Sequence, residues 1–280
     1  MRSSRAALGA AWIVVASCGA GRAGLMSFEE FARVGRRAPH VLSASAGAGR
    51  LLYYGSRHTF DPADPQLGDI ERGWNGFDPT LAIIEGGVPP APATREEAVR
   101  RSGERGWVRF LAARDSVPTA SLEPDRAVEV TALRREYTAE QIKVYYVLRQ
   151  IPQYRSGGAP GPIVAFVERA LQQTARVGGL AGPPRSVAEL RGACARLLAR
   201  LADCLDVTDD WFDPTVAEPR GYTNRLSRSS GAFRDRHMVD LITRAVRRGE
   251  RVFAIAGFGH VVMQERALRA AMDDDPRRSW

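Results

Sequence analysis

Short apolar runs limit the folds that are open to this 280-residue chain more than any other feature. Four segments of four or five residues are largely apolar without strict alternation, and each is bounded by glycine, proline or charged residues. Such strands are typically buried on both faces, as in a parallel or mixed sheet covered by helices. We therefore predict an α/β or α+β fold with a central mixed or parallel sheet, flanking helices, and strands at 51–54, 81–84, 119–122 and 252–256.

Helix starts are marked by three capping sequences. Thr94, Thr138 and Ser186 each precede a Glu or Gln by three residues, an arrangement that satisfies two free backbone N–H groups at a helix start. Further helical patterns lie at about 163–177, 231–248 and 262–272.

The domain organisation follows from where these patterns begin and end. Residues 19–45 are interpreted as a tether and N-terminal helix, 46–272 as a single catalytic domain, and 273–280 as a C-terminal tail. Residues 138–210 lack any strand pattern and are predicted to form a helical insertion or cap within that domain.

The first eighteen residues have the features of an export signal. Arg2 and Arg5 precede an apolar stretch of about a dozen residues, which is too short to span a bilayer. The stretch ends in Val-Ala-Ser-Cys-Gly, which resembles a bacterial lipobox, so Cys18 is predicted to carry a lipid anchor. Gly19 in place of Asp suits the periplasmic face of the outer membrane, and a soluble secreted or periplasmic protein is the alternative.

Composition bears on partners and on cysteine chemistry. The formal charge of +8 comes from arginine, since Lys143 is the only lysine, and the basic residues are scattered among acidic ones. We therefore expect no nucleic-acid partner, which would require a basic stripe. Cys194 and Cys204 lie within one helical pattern, where ten residues would separate them by roughly 15 Å and exclude a disulfide.

Candidate chemistry is concentrated where the predicted strands end. His58 lies four residues past the first strand, Glu85 directly follows the second, and His260 lies four residues past the last. Glu123 follows the third strand and is a secondary candidate. In open α/β sheets, ligands bind at the carboxyl ends of the strands, so we expect these side chains to meet at one edge.

Two chemistries suit this set of residues, and both lead to hydrolysis. His58, Glu85 and His260 could hold a divalent ion such as Zn, Mn, Fe or Co and leave a position open for an activated water. Alternatively, a histidine acts as general base while a carboxylate orients it, without metal.

An arginine on the apolar face of the predicted 231–248 helix completes the set. Arg234 is expected to pair with Glu85, with Glu123 or with a substrate oxygen, close to a helix N-terminus that favours anions. Asp235 is a secondary candidate that could cap the helix or form a pair. From its neighbours in the sequence alone, Glu104 is predicted to be a solvent-exposed carboxylate in a turn.

The ordered motifs resemble those of a known superfamily. Tyr-Tyr-Gly-Ser-Arg-His, Ala-Ile-Ile-Glu-Gly-Gly, Phe-Arg-Asp-Arg-His-Met and Val-Phe-Ala-Ile-Ala-Gly-Phe-Gly-His are similar in content and order to the motif set of the TraB/Tiki superfamily. That superfamily also includes erythromycin-esterase-like and ChaN-like proteins. The resemblance extends over residues 51–268 and identifies the chain as a bacterial lipoprotein member.

The resemblance implies a sheet flanked by helices and a cleft lined by two Gly-x-x-His motifs and a glutamate. Carried over by position, the catalytic roles fall on His58, Glu85, Arg234 and His260, and the segment containing Glu104 makes that residue a secondary candidate. The Tiki branch implies metal-dependent hydrolysis of a peptide bond, so the substrate would be a peptide or a small molecule.

Two alternatives to a metal-dependent hydrolase stay open. One is a metal-independent esterase. The other is a lipoprotein that binds haem or a metal ion without catalysis, in which His58 and the tyrosines of Leu-Leu-Tyr-Tyr-Gly could supply axial ligands.

Overall fold

The computed structural model describes residues 24–35, 37–156 and 161–273. The signal segment, Cys18 and residues 274–280 of the tail lie outside the described residues. Across the part of the chain that is described, no helix combines the length and apolar character needed to cross a membrane.

A five-stranded mixed sheet is the centre of the protein, and this confirms the predicted fold class. Its strand order is β1-β2-β5-β3-β4. The last four strands in that order are parallel, and β1 pairs antiparallel with β2 through a short hairpin. The strands are β1 (His40–Ala46), β2 (Gly49–Ser56), β3 (Leu81–Ile84), β4 (Thr119–Ser121) and β5 (Arg251–Gly257).

Ten α-helices lie in the described residues. Five of them flank or adjoin the sheet, and the other five form the helical part between β4 and α9. They are α1 (Phe28–Val34), α2 (Gln66–Phe77), α3 (Arg95–Arg114), α4 (Arg126–Leu133), α5 (Ala139–Leu148), α6 (Gln150–Ser156), α7 (Ile163–Ala175), α8 (Val187–Leu197), α9 (Tyr222–Arg247) and α10 (Phe258–Asp273).

Hydrophobic cores form on both faces of the sheet. On one face, α9 and α10 pack against Tyr53 and its neighbours; on the other, α2 and α3 pack against Tyr54 and Phe253. A third core joins α4, α5, α7, α8 and the start of α9. The helical segment extends beyond the predicted 138–210, because α4 already packs into it.

The predicted helix starts are confirmed at the capping residues. Thr138 forms a full capping box with Gln141. Thr94 and Ser186 accept the expected hydrogen bonds from the backbone three residues on, but Glu97 and Glu189 bind the N–H of the residue before the cap. In each case, two backbone donors at the helix start are satisfied.

Three boundaries differ from the sequence prediction. β1 lies within the 19–45 segment that was assigned to a tether and helix, because its polar and half-exposed residues at the sheet edge hide the strand pattern. α9 begins at Tyr222, nine residues before the predicted 231, because its first turns bury polar side chains such as Asn224 and Ser230 that break the apolar period. α10 begins at Phe258, directly after β5, and not at 262.

The two described cysteines are neighbours, contrary to the prediction. α8 ends at Leu197 and the chain reverses, so that the thiol of Cys204 returns to the thiol of Cys194 and the two thiols shift each other's pKa. Both are free and buried in the helical core. The single helix on which the predicted 15 Å separation depended does not exist.

Candidate active site

The carboxyl ends of the four parallel strands place the predicted residues along one edge of the sheet. Ser56 in β2 pairs with Gly257 in β5, and Ile84 in β3 pairs with Ile255 in β5. His58, Glu85 and His260 therefore leave three adjacent strands at the same edge, as the strand-end rule predicts.

The glycine of each Gly-x-x-His motif lies so close to neighbouring atoms that a side chain would fit only if those atoms moved. A Cβ on Gly55 would lie 2.7 Å from the carbonyl oxygen of His40 and 2.9 Å from Cα of Phe258. A Cβ on Gly257 would lie 3.0 Å from Nε2 of His58 and 3.7 Å from Oε2 of Glu85. The ring of His58 and the carboxylate of Glu85 thus converge over Gly257, no more than about 6.7 Å apart, the sum of those two distances.

His58 is held by a buried carboxylate. Its Nδ1 lies 2.7 Å from Oε1 of Glu104, and Glu104 also accepts hydrogen bonds from the hydroxyl of Ser56 (3.0 Å) and the backbone N–H of Thr59 (3.2 Å). Glu104 is only 5% exposed, so the prediction of a solvated turn carboxylate was wrong. This pairing fixes the orientation of the imidazole and leaves its Nε2 free of the carboxylate.

A kink in α3 aims Glu104 at His58. Gly103 has φ +63° and ψ −152° inside the helix, a conformation that is essentially restricted to glycine. A Cβ at this position would also lie 2.8 Å from the carbonyl oxygen of Thr59. The kink therefore requires glycine at the residue next to the carboxylate that orients His58.

His260 occupies a more enclosed and more acidic position. Its Nδ1 lies 2.6 Å from Oδ1 of Asp235, a fully buried residue, and its Nε2 lies 3.4 Å from Oε1 of Glu85. Gln264 donates a second hydrogen bond to the same Asp235 oxygen at 2.7 Å. His260 thus has a carboxylate on each side.

Glu85 is bound by the second Gly-x-x-His motif and by α9. Its carboxylate accepts a hydrogen bond from the backbone N–H of Gly257 at 2.8 Å, at the start of α10, where a helix favours negative charge. It also accepts one from Arg234 at 3.1 Å. These donors and His260 keep Glu85 in its charged form.

Arg234 binds carboxylates as predicted, but not at a helix end. Its guanidinium forms two hydrogen bonds with Glu123, at 2.7 and 2.5 Å, and a third with Glu85. Because α9 begins at Tyr222, Arg234 lies in the middle of the helix, and the predicted contribution of a helix N-terminus was wrong.

The surrounding charges shift the two imidazoles differently. The hydrogen bond to Glu104 raises the pKa of His58 above its usual 6.5, against the effect of desolvation. Burial opposes charge on His260, but the carboxylates of Asp235 and Glu85 outweigh it and raise the pKa of that imidazole to about 10. His260 is therefore an imidazolium at neutral pH.

The acidic partners shift in the opposite direction. Burial opposes ionisation of Glu85, yet His260 and Arg234 hold the pKa of that carboxyl well below its usual range. Burial likewise opposes ionisation of Glu123, but the hydrogen bonds from Arg234 lower the pKa of its carboxyl. Neither glutamate is a competent proton acceptor near pH 7, which leaves His58 as the candidate base.

Two pockets meet at this edge of the sheet. The aromatic pocket, about 630 Å³, contains His58, Glu85, Arg234, Asp235 and His260, and its walls are formed chiefly by Phe28, Phe31, Tyr145, Phe212, Phe258 and Met263. The polar pocket, about 720 Å³, is lined by Ser102, Arg105, Glu123, Gln153 and Ser156 together with Glu104 and Phe60. His58 and Glu85 line both pockets.

The donor set does not form a ready metal site. Within residues 24–35, 37–156 and 161–273, no three His, Cys, Asp or Glu side chains have the spacing to hold a metal ion. Glu85 is bound by Arg234 and Gly257, and Nε2 of His260 faces the same carboxylate at 3.4 Å. As arranged, these residues do not fit a resident ion, and one at His58, Glu85 and His260 would require them to rearrange.

The tyrosines named for the haem alternative lie elsewhere. Tyr53 and Tyr54 are buried in the cores on opposite faces of the sheet. Neither of them lines the aromatic or the polar pocket, so their position does not favour a role as axial ligands beside His58.

Comparisons with known proteins add no identity to this geometry. No family model, curated protein or solved structure matches the chain. The resemblance to the TraB/Tiki superfamily therefore stays a prediction from the motifs.

Proposed function

We propose that the protein is a hydrolase that cleaves an ester or peptide bond with His58 as the general base. The observation that carries this proposal is the His58–Glu104 pair, in which a buried carboxylate 2.7 Å from Nδ1 orients an imidazole at the mouth of a pocket. An oriented base of this kind contributes about 100- to 10,000-fold to a reaction.

The proposed reaction begins with proton transfer from water. Neutral His58 takes a proton on Nε2 as the water oxygen bonds to the carbonyl carbon of the substrate, and Glu104 stabilises the resulting imidazolium. The imidazolium of His260 lies on the other side of Glu85, and each of its ring nitrogens faces a carboxylate, so it holds Glu85 in position beside the reacting atoms. Collapse of the tetrahedral intermediate breaks the bond to the leaving group, which receives the proton from His58.

Glu85, Glu123 and Arg234 have positioning roles in this proposal. The low pKa of Glu85 argues against it as a base, and its contacts with Gly257 and His260 hold it against the second motif. Arg234 is neutralised by two carboxylates, so we assign it to holding Glu85 in place and no longer to gripping a substrate oxygen.

The anchor and the location remain proposals that are separate from the site. We propose that Cys18 is lipidated and holds the protein at the periplasmic face of the outer membrane. Metabolic labelling with a fatty acid tests this, because labelling lost in Cys18→Ser supports the anchor and labelling absent from the wild type contradicts it.

The function is tested by turnover of a panel of nitrophenyl esters and fluorogenic peptides, with and without EDTA. We expect the wild type to hydrolyse at least one class, EDTA to leave the rate unchanged, and His58→Gln to lose activity while retaining its circular dichroism spectrum. His237→Gln is the control, because that histidine lies on α9 and lines neither pocket.

Two outcomes contradict different parts of the proposal. Loss of activity in EDTA with recovery on adding Mn, Co or Zn would replace the metal-free mechanism with a metal-dependent one. Absence of turnover in both substrate classes, or full activity in His58→Gln, would reject the assignment of His58 as the base of a hydrolase.

A further inference from the structure

The wall of the aromatic pocket includes a helix that buries none of its own residues. Phe28 and Phe31 of α1 are only partly covered, and both line the pocket beside the catalytic residues. A seven-residue helix is not stable in isolation, so its position depends on its contacts with the rest of the protein.

The contacts that hold α1 are specific. Ser27 and Glu30 form a capping box, Glu29 forms a salt bridge with Arg228 at 2.9 Å, and the backbone N–H of Met26 donates to the carbonyl oxygen of Met263 at 2.9 Å. These contacts join α1 to both α9 and α10, so the two phenylalanines have a fixed position in the wall.

Two glycines make room for the phenylalanine rings. A Cβ on Gly231 of α9 would lie 2.7 Å from Cζ of Phe28, and a Cβ on Gly259 of α10 would lie 3.4 Å from Cζ of Phe31. The ring of Phe31 also lies 5.9 Å from that of Phe258. The aromatic wall is therefore a packed surface that still presents partly exposed rings to the pocket.

Tyr145 and Phe212 add further aromatic surface to the pocket. The hydroxyl of Tyr145 accepts a hydrogen bond from Arg149 at 3.2 Å and is bonded to Ser227 at 3.2 Å. Phe212 packs edge-on against the same tyrosine ring. Arg149, which also lines the pocket, is held against the ring of Tyr145, so this part of the pocket combines aromatic surface with one guanidinium.

The two sides of the catalytic pair therefore differ in chemistry. The polar pocket has Arg105, Gln153 and Ser156 beside one phenylalanine, whereas the aromatic pocket has four phenylalanines and Tyr145. Because His58 and Glu85 line both, the bond attacked by a His58-activated water lies at their boundary. We infer that the substrate is an amphiphilic ester or amide whose apolar acyl or alkyl group occupies the aromatic pocket, an inference that rests on the proposed function.

Chain-length dependence tests this substrate class. Esters are varied from acetyl to octanoyl on the acyl side and from methyl to octyl on the alcohol side, and kcat/KM is measured for each. Burial of each methylene is expected to increase kcat/KM by up to about fourfold on one of the two sides, until the pocket is filled. A flat dependence on both sides would overturn the inference while leaving the hydrolase intact.

Substitutions in α1 test whether the aromatic pocket is the one that binds the apolar group. Phe28→Ala and Phe31→Ala should reduce the gain per methylene, and Phe31→Trp should shorten the longest chain that is accepted. Phe60→Ala is the matched control, because Phe60 is a 63% exposed phenylalanine in the polar pocket and its loss should leave the chain-length dependence unchanged. If the dependence on chain length were lost in Phe60→Ala but kept in the α1 variants, the apolar group would lie in the polar pocket and the inference would be wrong.

A binding measurement separates this inference from the proposed reaction. By calorimetry, His58→Gln should bind octanoate at least tenfold more tightly than acetate, and Phe31→Ala in that background should remove most of the difference. Equal binding of both acids would overturn the inference whether or not any ester is hydrolysed.

Discussion

The two Gly-x-x-His motifs begin alike and end in different environments. Gly55 and Gly257 lie one position out of register at the ends of adjacent strands, and each precedes a histidine by three residues. The side chain of His58 is 66% exposed, whereas that of His260 is 20% exposed. His58 has one carboxylate partner and His260 has two. A repeated motif can therefore place two histidines of different protonation state in one site.

The division of roles follows from electrostatics. A carboxylate on each side holds the proton on His260, so this imidazole is a poor base but a permanent cation near neutral pH. A single carboxylate at Nδ1 orients His58, and Nε2 can still exchange a proton with water or substrate in the pocket.

Chemical rescue distinguishes the two histidines most strongly. His58→Ala should lose about 100- to 10,000-fold in kcat/KM, and added imidazole should restore part of it, because the site of His58 is open to the pocket. His260→Ala should not be rescued, since the removed ring lies between Asp235 and Glu85. Turnover measured against imidazole concentration decides this, and rescue of His260→Ala alone would reverse the assigned roles.

Removing the orienting carboxylate should have a smaller effect than removing the base. Glu104→Gln keeps the shape of the side chain but no longer stabilises the His58 imidazolium, so kcat should fall by about 10- to 100-fold. The acid limb of the pH–rate profile should also move to lower pH, because the hydrogen bond that raises the pKa of His58 is weakened. Glu96→Gln, an exposed residue in the first turn of the same helix, is the control.

The pH dependence should have two limbs with separate origins. Activity should increase as pH rises through the raised pKa of His58, and decrease as pH approaches about 10, where His260 loses its proton. Asp235→Asn removes one of the charges that hold that proton, so the alkaline limb should move to lower pH. Asp240→Asn, exposed on the same helix, should leave it unchanged, and an immobile limb in Asp235→Asn would contradict the proposed cation.

A side chain introduced at Gly103 should have the smallest effect of these changes, and the effect should be on stability. Gly103→Ala forces a side chain into a left-handed conformation against the carbonyl of Thr59, and should lower the free energy of unfolding by about 1–3 kcal/mol. Gly76→Ala in α2 has nothing within 4 Å of the added Cβ and should be neutral or stabilising. Urea denaturation of the two variants measures the difference, and equal stabilities would show that the kink does not require glycine.

The sequence predicted the sheet edge because the signals for it are local. Short apolar runs gave four strands, and the strand-end rule then placed His58, Glu85 and His260 together without knowledge of the strand order. The capping residues Thr94 and Ser186 are equally local, and each begins its helix.

What the sequence could not supply depends on contacts between distant residues. Glu104 lies 46 residues from His58 and reaches it only through the kink at Gly103, for which the one available signal was a glycine inside a helical pattern. Phe28 and Phe31 lay in the segment predicted as a tether and N-terminal helix, and their place in the pocket wall was not predicted because it depends on glycines more than 200 residues further along the chain. Neither relation has a periodic signature.

Proton occupancy of the two rings tests the central claim most directly. Nitrogen NMR of the four histidine side chains, assigned by single His→Gln variants, follows each imidazole from pH 5 to pH 11. We predict that His260 stays doubly protonated through neutral pH and titrates at about 10, while His58 titrates below it. A His260 ring that is neutral at pH 7, or one that loses its proton before His58, would contradict the account.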